Sequence, residues 1–361
     1  MPRGTPIAYP GQKRSDLKVS IVIINYNYAR FLQDAIESSL AQTYANTEVV
    51  VIDDGSTDDS AEIIKSYGER IIGVLKKRGG QSSCYARGLE VSNGDLVLYL
   101  DADDFLYPHC LSEVINAWPK GCAKAHFYLE VVDENGSKLN AVVPSGRLGK
   151  GTNPLKMMQV FGAYCSPPAS GNIYSRHFLS KILPMKNEHQ LQSGGADSVT
   201  IFAAPYFGSI TTIPRVLGSY RRHANAAGSV TSEFELETVM QKLEKQHQND
   251  LIRDRSWRLA ARQIGRAKLL EPTRLKRHIC YLRLAGRGLD PADTRWRLLV
   301  EGLRSAIRWD AYSWLQKIVI SWWFLGVAVL PIEIAKKLIP PALGISNRTP
   351  RLKRFLQAKT T

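Results

Sequence analysis

The stretch Asp95-Leu-Val-Leu-Tyr-Leu-Asp-Ala-Asp-Asp104 decides the fold. Leu96 to Leu100 is an uninterrupted apolar run of the length expected for a buried strand. It ends in three carboxylates, Asp101, Asp103 and Asp104. Open α/β sheets bind ligands beyond the C-terminal ends of parallel strands, so these acids stand where a ligand would. Asp101 and Asp103 are two residues apart and point the same way in an extended chain. Two carboxylates on one side suit a hard cation, Mg²⁺ or Mn²⁺, carrying a phosphorylated ligand. An acidic turn after a strand accounts for the same residues equally well.

Upstream, the pattern repeats. Val19 to Ile24 is a β-branched run that reads as a buried strand, followed by the polar turn Asn25-Tyr-Asn-Tyr28. Ala29 to Ala41 has helical spacing. Glu48 to Ile52 is a second strand, and Asp53-Asp-Gly-Ser-Thr-Asp58 closes it. Ser56 or Thr57 is the expected cap of a helix reaching about Tyr67. Ile71 to Leu75 reads as a third strand, Gly79-Gly80 as a turn and Gln81 to Val91 as a helix. The order β-α-β-α-β-α-β with short loops calls for an α/β fold, a mostly parallel sheet flanked by helices. Such topology brings the polar loops after the first, second and fourth strands to one edge, where a nucleotide site is expected.

Downstream, the spacing predicts a helix over 111–118 and a strand over 123–132. A loop follows, with turn signals at Glu134-Asn-Gly136 and Pro144-Ser-Gly146. A short helix is expected from Arg176 and another near 196–204. Ser209 to Tyr220 reads as a strand that Pro214 confines to an edge or breaks. From Phe234 onward the reading is helical, over about 234–249, 251–268, 273–286 and 292–308.

Charge divides the chain as the elements do. The formal net charge is +15 over 361 residues. Residues 1–250 hold 25 Lys/Arg against 26 Asp/Glu, and residues 251–361 hold 23 against 7. The basic partner surface is therefore C-terminal. Ile318 to Ile332 carries no charge and includes Trp322-Trp323, with Lys336-Lys337 beyond. At fifteen residues it falls short of the about 20 needed to span a bilayer, and it suits an interfacial segment or a core helix. No nucleic-acid module is present, and an anionic membrane surface explains the cations and the Trp-rich segment together. The five cysteines have no metal or redox spacing, which fits reduced thiols in a cytoplasmic protein. Met1 to Lys18 has no apolar h-region and reads as a flexible lead-in. Domains are expected at 1–18 (lead-in), 19–230 (sheet domain), 231–317 (basic helices) and 318–361 (membrane-associating segment and basic tail).

Asn25-Tyr-Asn27, Asp53-Asp-Gly-Ser-Thr57, Asp101-Ala-Asp-Asp104 and Tyr220-Arg-Arg-His223, in this order, resemble the family 2 glycosyltransferases, inverting enzymes of the GT-A fold. The resemblance spans about residues 19–230. It implies transfer of a sugar from a nucleotide sugar, with UDP the leading nucleotide, to an acceptor hydroxyl in surface polysaccharide or glycolipid synthesis. It implies that Tyr26 and Asp53 or Asp54 hold the nucleotide base. It further implies that Asp101 binds the ribose, that Asp103 and His223 reach a divalent metal on the diphosphate, and that Gly80 borders the nucleotide. The Gly-x-x-x-Ala-Arg-Asn-x-Gly pattern of the family is kept at Gly80 and Gly88, but Cys84-Tyr-Ala86 replaces its middle. The family's acidic base opens a helix, often as Glu-Asp. Here Ala196 stands where Glu would, which leaves Asp197 as the base and Glu188 as the other carboxylate of that window.

Two other classes compete. A sugar-1-phosphate nucleotidyltransferase would carry a Gly-rich basic loop after the first strand, and Asn25-Tyr-Asn27 is not one. A non-catalytic nucleotide-sugar binder would explain Ala196 and Cys84-Tyr-Ala86.

Overall fold

The structure, a computed structural model, describes residues 14–148, 153–183, 195–223, 236–263 and 267–343. Two compact units form. The first comprises Met1–Lys150, Cys165–Ala226 and Ile252–Ile264; the second comprises Gly151–Tyr164, Ala227–Leu251 and Gly265–Thr361.

The first unit is an α/β sheet flanked by helices. In chain order it contains β1 (Val19–Asn25), α1 (Ala29–Leu40), β2 (Thr47–Asp53), α2 (Ser60–Ser66), β3 (Ile72–Leu75), α3 (Gln81–Val91), β4 (Leu96–Asp101), α4 (Cys110–Ala117), β5 (Cys122–Val132) and β6 (Lys138–Val143). The second unit claims α5 (Pro154–Phe161) before the chain returns with β7 (Asn172–Ser175), α6 (Arg176–Ile182), α7 (Ala196–Ala203) and β8 (Ser209–Arg221). The sheet order is β3-β2-β1-β4-β7-β5-β6, with β8 on β5. β1 to β4 pair in parallel; β7 runs antiparallel to β4 and β5, and β6 antiparallel to β5.

The parallel half is the one the apolar runs announce. Ile21, Ile23, Val51, Leu98 and Leu100 are fully buried, as strands covered on both faces require. Register then sets the site. Ile24 pairs with Asp101 and Asn25 with Asp53, so three strands end level at one edge. The chain order reverses between β1 and β4, which is the switch point where ligands bind in such sheets. Pro214 does not break β8. The register on β5 jumps from Phe127–Ile213 to Tyr128–Val216, a bulge that absorbs the missing donor on an edge strand.

Several sequence expectations are corrected. Neither Ser56 nor Thr57 caps α2. Asp58 accepts from Ser60 N at 3.1 Å, while Ser56 turns back to Asp53 and Thr57 N donates to Asn27 Oδ1 at 2.8 Å. The stretch read as a loop after residue 132 holds β6 and α5. The helices expected at 234–249 and 251–268 are one helix, α8 (Leu236–Ala260). The N-terminal residues 1–13, the loop with Glu188 and Gly194, and residues 344–361 lie outside the described residues.

The second unit is helical. The first part of α8 joins α9 (Pro272–Ala285), α10 (Arg295–Arg308), α11 (Trp314–Val329) and α12 (Ile332–Leu343). Its core gathers Leu243, Leu275, Ile279, Leu298, Phe324, Val327 and Ile339. Gly302 of α10 lies against the Phe324 ring so closely that a Cβ there would fall 2.5–2.8 Å from ring carbons. No described helix is long and apolar enough to cross a membrane.

Candidate active site

Backbone polar groups at the level strand ends are fixed by side chains of neighbouring loops. Asn25 Nδ2 donates to Asp53 Oδ1 at 2.7 Å, and Ser56 N donates to Asp53 Oδ2 at 2.9 Å. Asp54 turns the other way. Gly79 N and Gly80 N donate to its two oxygens at 2.8 and 2.7 Å, and Lys76 Nζ joins them. Burial alone would raise the Asp54 pKa, but these three donors outweigh it and hold the carboxyl below its usual range. Gly80 sits at φ +81°, which suits glycine, and precedes α3. Thus Asp53 shapes the turn after β2, and Asp54 clamps the loop after β3. Tyr26 is half-buried beside them, with the Arg78 guanidinium 4.1 Å from its ring centroid.

The acidic strand end is tied to β8. Ser219 N donates to Phe105 O at 2.8 Å and Tyr107 N to Leu217 O at 3.0 Å. Gly218 faces Phe105 O where a Cβ would lie 2.9 Å away, so the loop can close on it. Asp104 is buried: Ser170 Oγ donates to it at 2.6 Å and Arg221 N at 2.9 Å. Burial and the neighbouring Asp103 and Asp101 push its pKa well up. Asp104 is therefore a fastener between β4 and β8. Arg221 completes the fastening through Asp103 O (2.8 Å), Glu134 O (2.8 Å) and Asp34 (2.7 Å), with its guanidinium over Phe31.

This zipper delivers His223 to Asp103. His223 Nε2 lies 3.0 Å from Asp103 Oδ2, and the imidazole packs against the Tyr28 and Phe31 rings. Asp101 ends β4 two residues before Asp103. Burial, then the charges of Asp103 and Asp197, push its carboxyl up to about 8. Burial, then the charges of Asp103, Asp101 and Asp104, raise the Tyr28 phenol to about 12. Asp197 stands in the first turn of α7, near enough to Asp101 to raise it. Gly195, at φ +62°, precedes it, and a Cβ there would fall 2.4 Å from Asp197 Oδ1. Burial raises the Asp197 pKa, opposed by hydrogen bonds from Ser198 and by Arg253. Ala196 N donates to Gln81 Oε1 at 3.0 Å, fixing α7 to α3. Asp197 is the second residue of α7 rather than its cap, so an N-cap role does not explain it.

Asp103 of the β4 end thus meets His223 beyond β8, and Asp101 feels the charges of both Asp103 and Asp197 of α7. A carboxylate raised by burial and by neighbouring like charges, as Asp101 is, marks a candidate functional site. The sequence motifs match a known family over this region: residues 20–182 match glycosyl transferase family 2. An uncharacterized glycosyltransferase from Nostoc sp. is 32% identical over 246 residues, which is 65% of this chain and 76% of that protein. The chain belongs to glycosyl transferase family 2.

A second relative, an uncharacterized glycosyltransferase of Rickettsia prowazekii, is 36% identical over 135 residues, 37% of this chain and 42% of that protein. Among solved structures, S. aureus TarS in complex with UDP-GlcNAc is 14% identical, with 92% of this chain and 93% of that one covered and a TM-score of 0.47. The mannosyltransferase of Pyrobaculum calidifontis in complex with GDP-Man and Mn²⁺ is 15% identical, with 98% and 86% covered and a TM-score of 0.47.

Within this glycosyltransferase, the departure at Cys84-Tyr-Ala86 has a structural account. Tyr85 is buried and stacked on Tyr99, ring centroids 3.7 Å apart, and Tyr99 Oη donates to Tyr85 O. The sequence reading missed Asn25, Ser170 and Arg221 as supports. Arg221 stood inside a quoted motif, whereas Ser170 had no local signal.

Proposed function

We propose that this chain transfers a sugar from a nucleotide sugar, a UDP-sugar first among candidates, to an acceptor hydroxyl with inversion at the anomeric carbon. The observation that carries this is the meeting of Asp103 with His223 at 3.0 Å, beside Asp101 and Asp197. Tyr26 supplies a ring for the base, and the Asp53–Asp54 turn with Gly80 borders it. Asp101 faces the ribose.

The Asp103 carboxylate and the His223 imidazole nitrogen, 3.0 Å apart, are donors of the types that suit Mg²⁺ or Mn²⁺. No group of three His, Cys, Asp or Glu among the described residues could hold a metal, so the proposed ion needs further ligands from the diphosphate. Asp103 and His223 would hold the ion. When bound, it neutralises charge on the departing diphosphate.

The rest is done by side chains. Asp197 removes the proton from the acceptor hydroxyl as that oxygen attacks the anomeric carbon. The bond to the diphosphate breaks, and its electron pair leaves with the diphosphate. One base and no enzyme nucleophile means a single displacement, hence inversion. Burial keeps Asp197 more basic than an exposed carboxylate, which favours proton transfer.

The proposed setting is the anionic inner face of the cytoplasmic membrane, with a glycan or lipid-linked acceptor. The basic C-terminal balance supports it. A donor screen tests the function: one nucleotide sugar should raise the unfolding temperature in the presence of Mn²⁺ and release its sugar to an acceptor. Protection without sugar release would favour the non-catalytic binder, for which Ala196 is the supporting residue. No protection by any nucleotide sugar would end both readings.

A further inference from the structure

Sequence assigns membrane contact to the segment 318–332 as a block, but the helical unit divides that block. Phe324, Val327 and Ala328 of α11 are fully buried in the core. On the same helix Trp314, Ile318, Trp322, Leu325 and Val329 are exposed, Trp314 at 69% and Trp322 at 68%. Their spacing of four, four, three and four places them within an arc of about 80° on a helix of 3.6 residues per turn. The core residues lie on the other side. α10 repeats the arrangement, although nothing in its sequence pointed to a membrane. Trp296, Val300 and Ile307 are exposed, with half-buried Leu303 in the same row, while Leu298, Leu299, Gly302 and Ala306 face the core. Arg304 and Arg308, both exposed, border this row.

We propose that the outward rows of α10 and α11 are a docking surface for an anionic bilayer, each helix lying in the headgroup layer with its apolar row in the acyl boundary. This rests on the membrane setting proposed above and names the residues that make the contact. Large exposed apolar rows mark interaction sites, and Trp is a side chain favoured at a wet apolar boundary. The occupant follows from charge. Arg304 and Arg308 flank the row where long cationic side chains reach phosphate headgroups, and exposed Lys336 and Lys337 of α12 add to them. The excess of cations after residue 250 would oppose pairing with a second, equally basic copy.

Deleting residues 318–361 would remove core residues along with the surface, so point substitutions are the proper probes. The full chain is sedimented with vesicles of equal parts phosphatidylglycerol and phosphatidylcholine. The intact chain should bind them and bind pure phosphatidylcholine weakly. Trp296→Ser and Trp322→Ser should each weaken binding about tenfold, since a large apolar side chain is lost from the boundary. Arg304→Gln and Arg308→Gln should each weaken it about fivefold at low salt and less at high salt. Sugar release to a soluble acceptor without vesicles reports on the transfer reading separately. The proposal is overturned if the intact chain ignores the vesicles, or if the Trp variants bind as well as it does. It is equally overturned if sedimentation equilibrium shows a dimer that Trp296→Ser dissociates while vesicle binding is absent.

Discussion

Carboxylates in the helical unit and at the end of β4 are arranged in opposite ways. In the helical unit each buried acid has a basic neighbour. Asp250 pairs with Arg274 and Arg277, and Asp293 accepts from His278 Nδ1 at 2.7 Å. Burial would raise the Asp293 carboxyl, but His278 and its other partners hold it below its usual range. At the end of β4, Asp101 has burial and the charges of Asp103 and Asp197 against it and is raised to about 8, whereas Asp54 of the same unit is paired with Lys76. Paired burial fixes a shape; gathered like charge destabilises the apo protein and awaits something that relieves it. The comparison separates scaffold from site without reference to any relative.

Removing Asp197 should break the comparison most. Asp197→Asn keeps the shape but cannot take a proton, so kcat should fall about 10²–10⁴-fold with donor KM little changed. The pH profile sharpens this. A base works only when deprotonated, and burial raises the Asp197 pKa. In the unaltered enzyme kcat should therefore fall as pH drops through a limb lying above the ordinary carboxylate range. In Asp197→Asn that limb should vanish. Near-normal turnover, or an unchanged limb, would move the role to Glu188.

A smaller effect is expected at Asp103. Asp103→Asn removes the charged one of the two groups proposed to hold the cation, and calorimetry should show UDP-sugar binding in Mn²⁺ weakened about tenfold or more, with unfolding in metal-free buffer little altered. Equal affinity of variant and parent would take the metal away from this strand end. By contrast, Asp250→Asn in the helical unit should change stability and leave nucleotide affinity alone.

What could be read from sequence follows from how locally each feature is caused. β1, β2 and β4 were legible because strands buried on both faces must be apolar throughout. β6 was not, since Lys138 to Val143 lies at an edge with Leu139 and Val142 exposed. α5 carried a usable signal: Asn153 caps it, accepting from Lys156 N, and Pro154 sits in its first turn. The two helices expected on either side of residue 250 are one, and Arg274 and Arg277 pair with Asp250 within it. Asp101 and Asp103 follow from their spacing at a strand end, and His223 from a resemblance. Their meeting across 120 residues depends on the β4–β8 zipper, which no local pattern announces.

The smallest predicted effect tests whether the two units are separable in stability. Gly88 on α3 and Gly302 on α10 are matched positions where a helix touches its neighbour. A Cβ at Gly88 would meet Val22 Cγ1 of β1 at 2.4 Å, and one at Gly302 would meet the Phe324 ring at 2.5 Å. Alanine at either forces a shift in a packed core, at a cost of about 1–3 kcal/mol. The consequences should differ. α3 begins at the Gly80 loop that Asp54 clamps, so Gly88→Ala should lower both the unfolding temperature and the affinity for UDP with Mn²⁺. Gly302→Ala disturbs only the packing of α10 on α11, so it should lower the stability of the helical unit and leave UDP affinity unchanged. A nucleotide affinity that falls equally in both variants would mean that the two units unfold as one, and the contrast between scaffold and site would then hold for charge but not for stability.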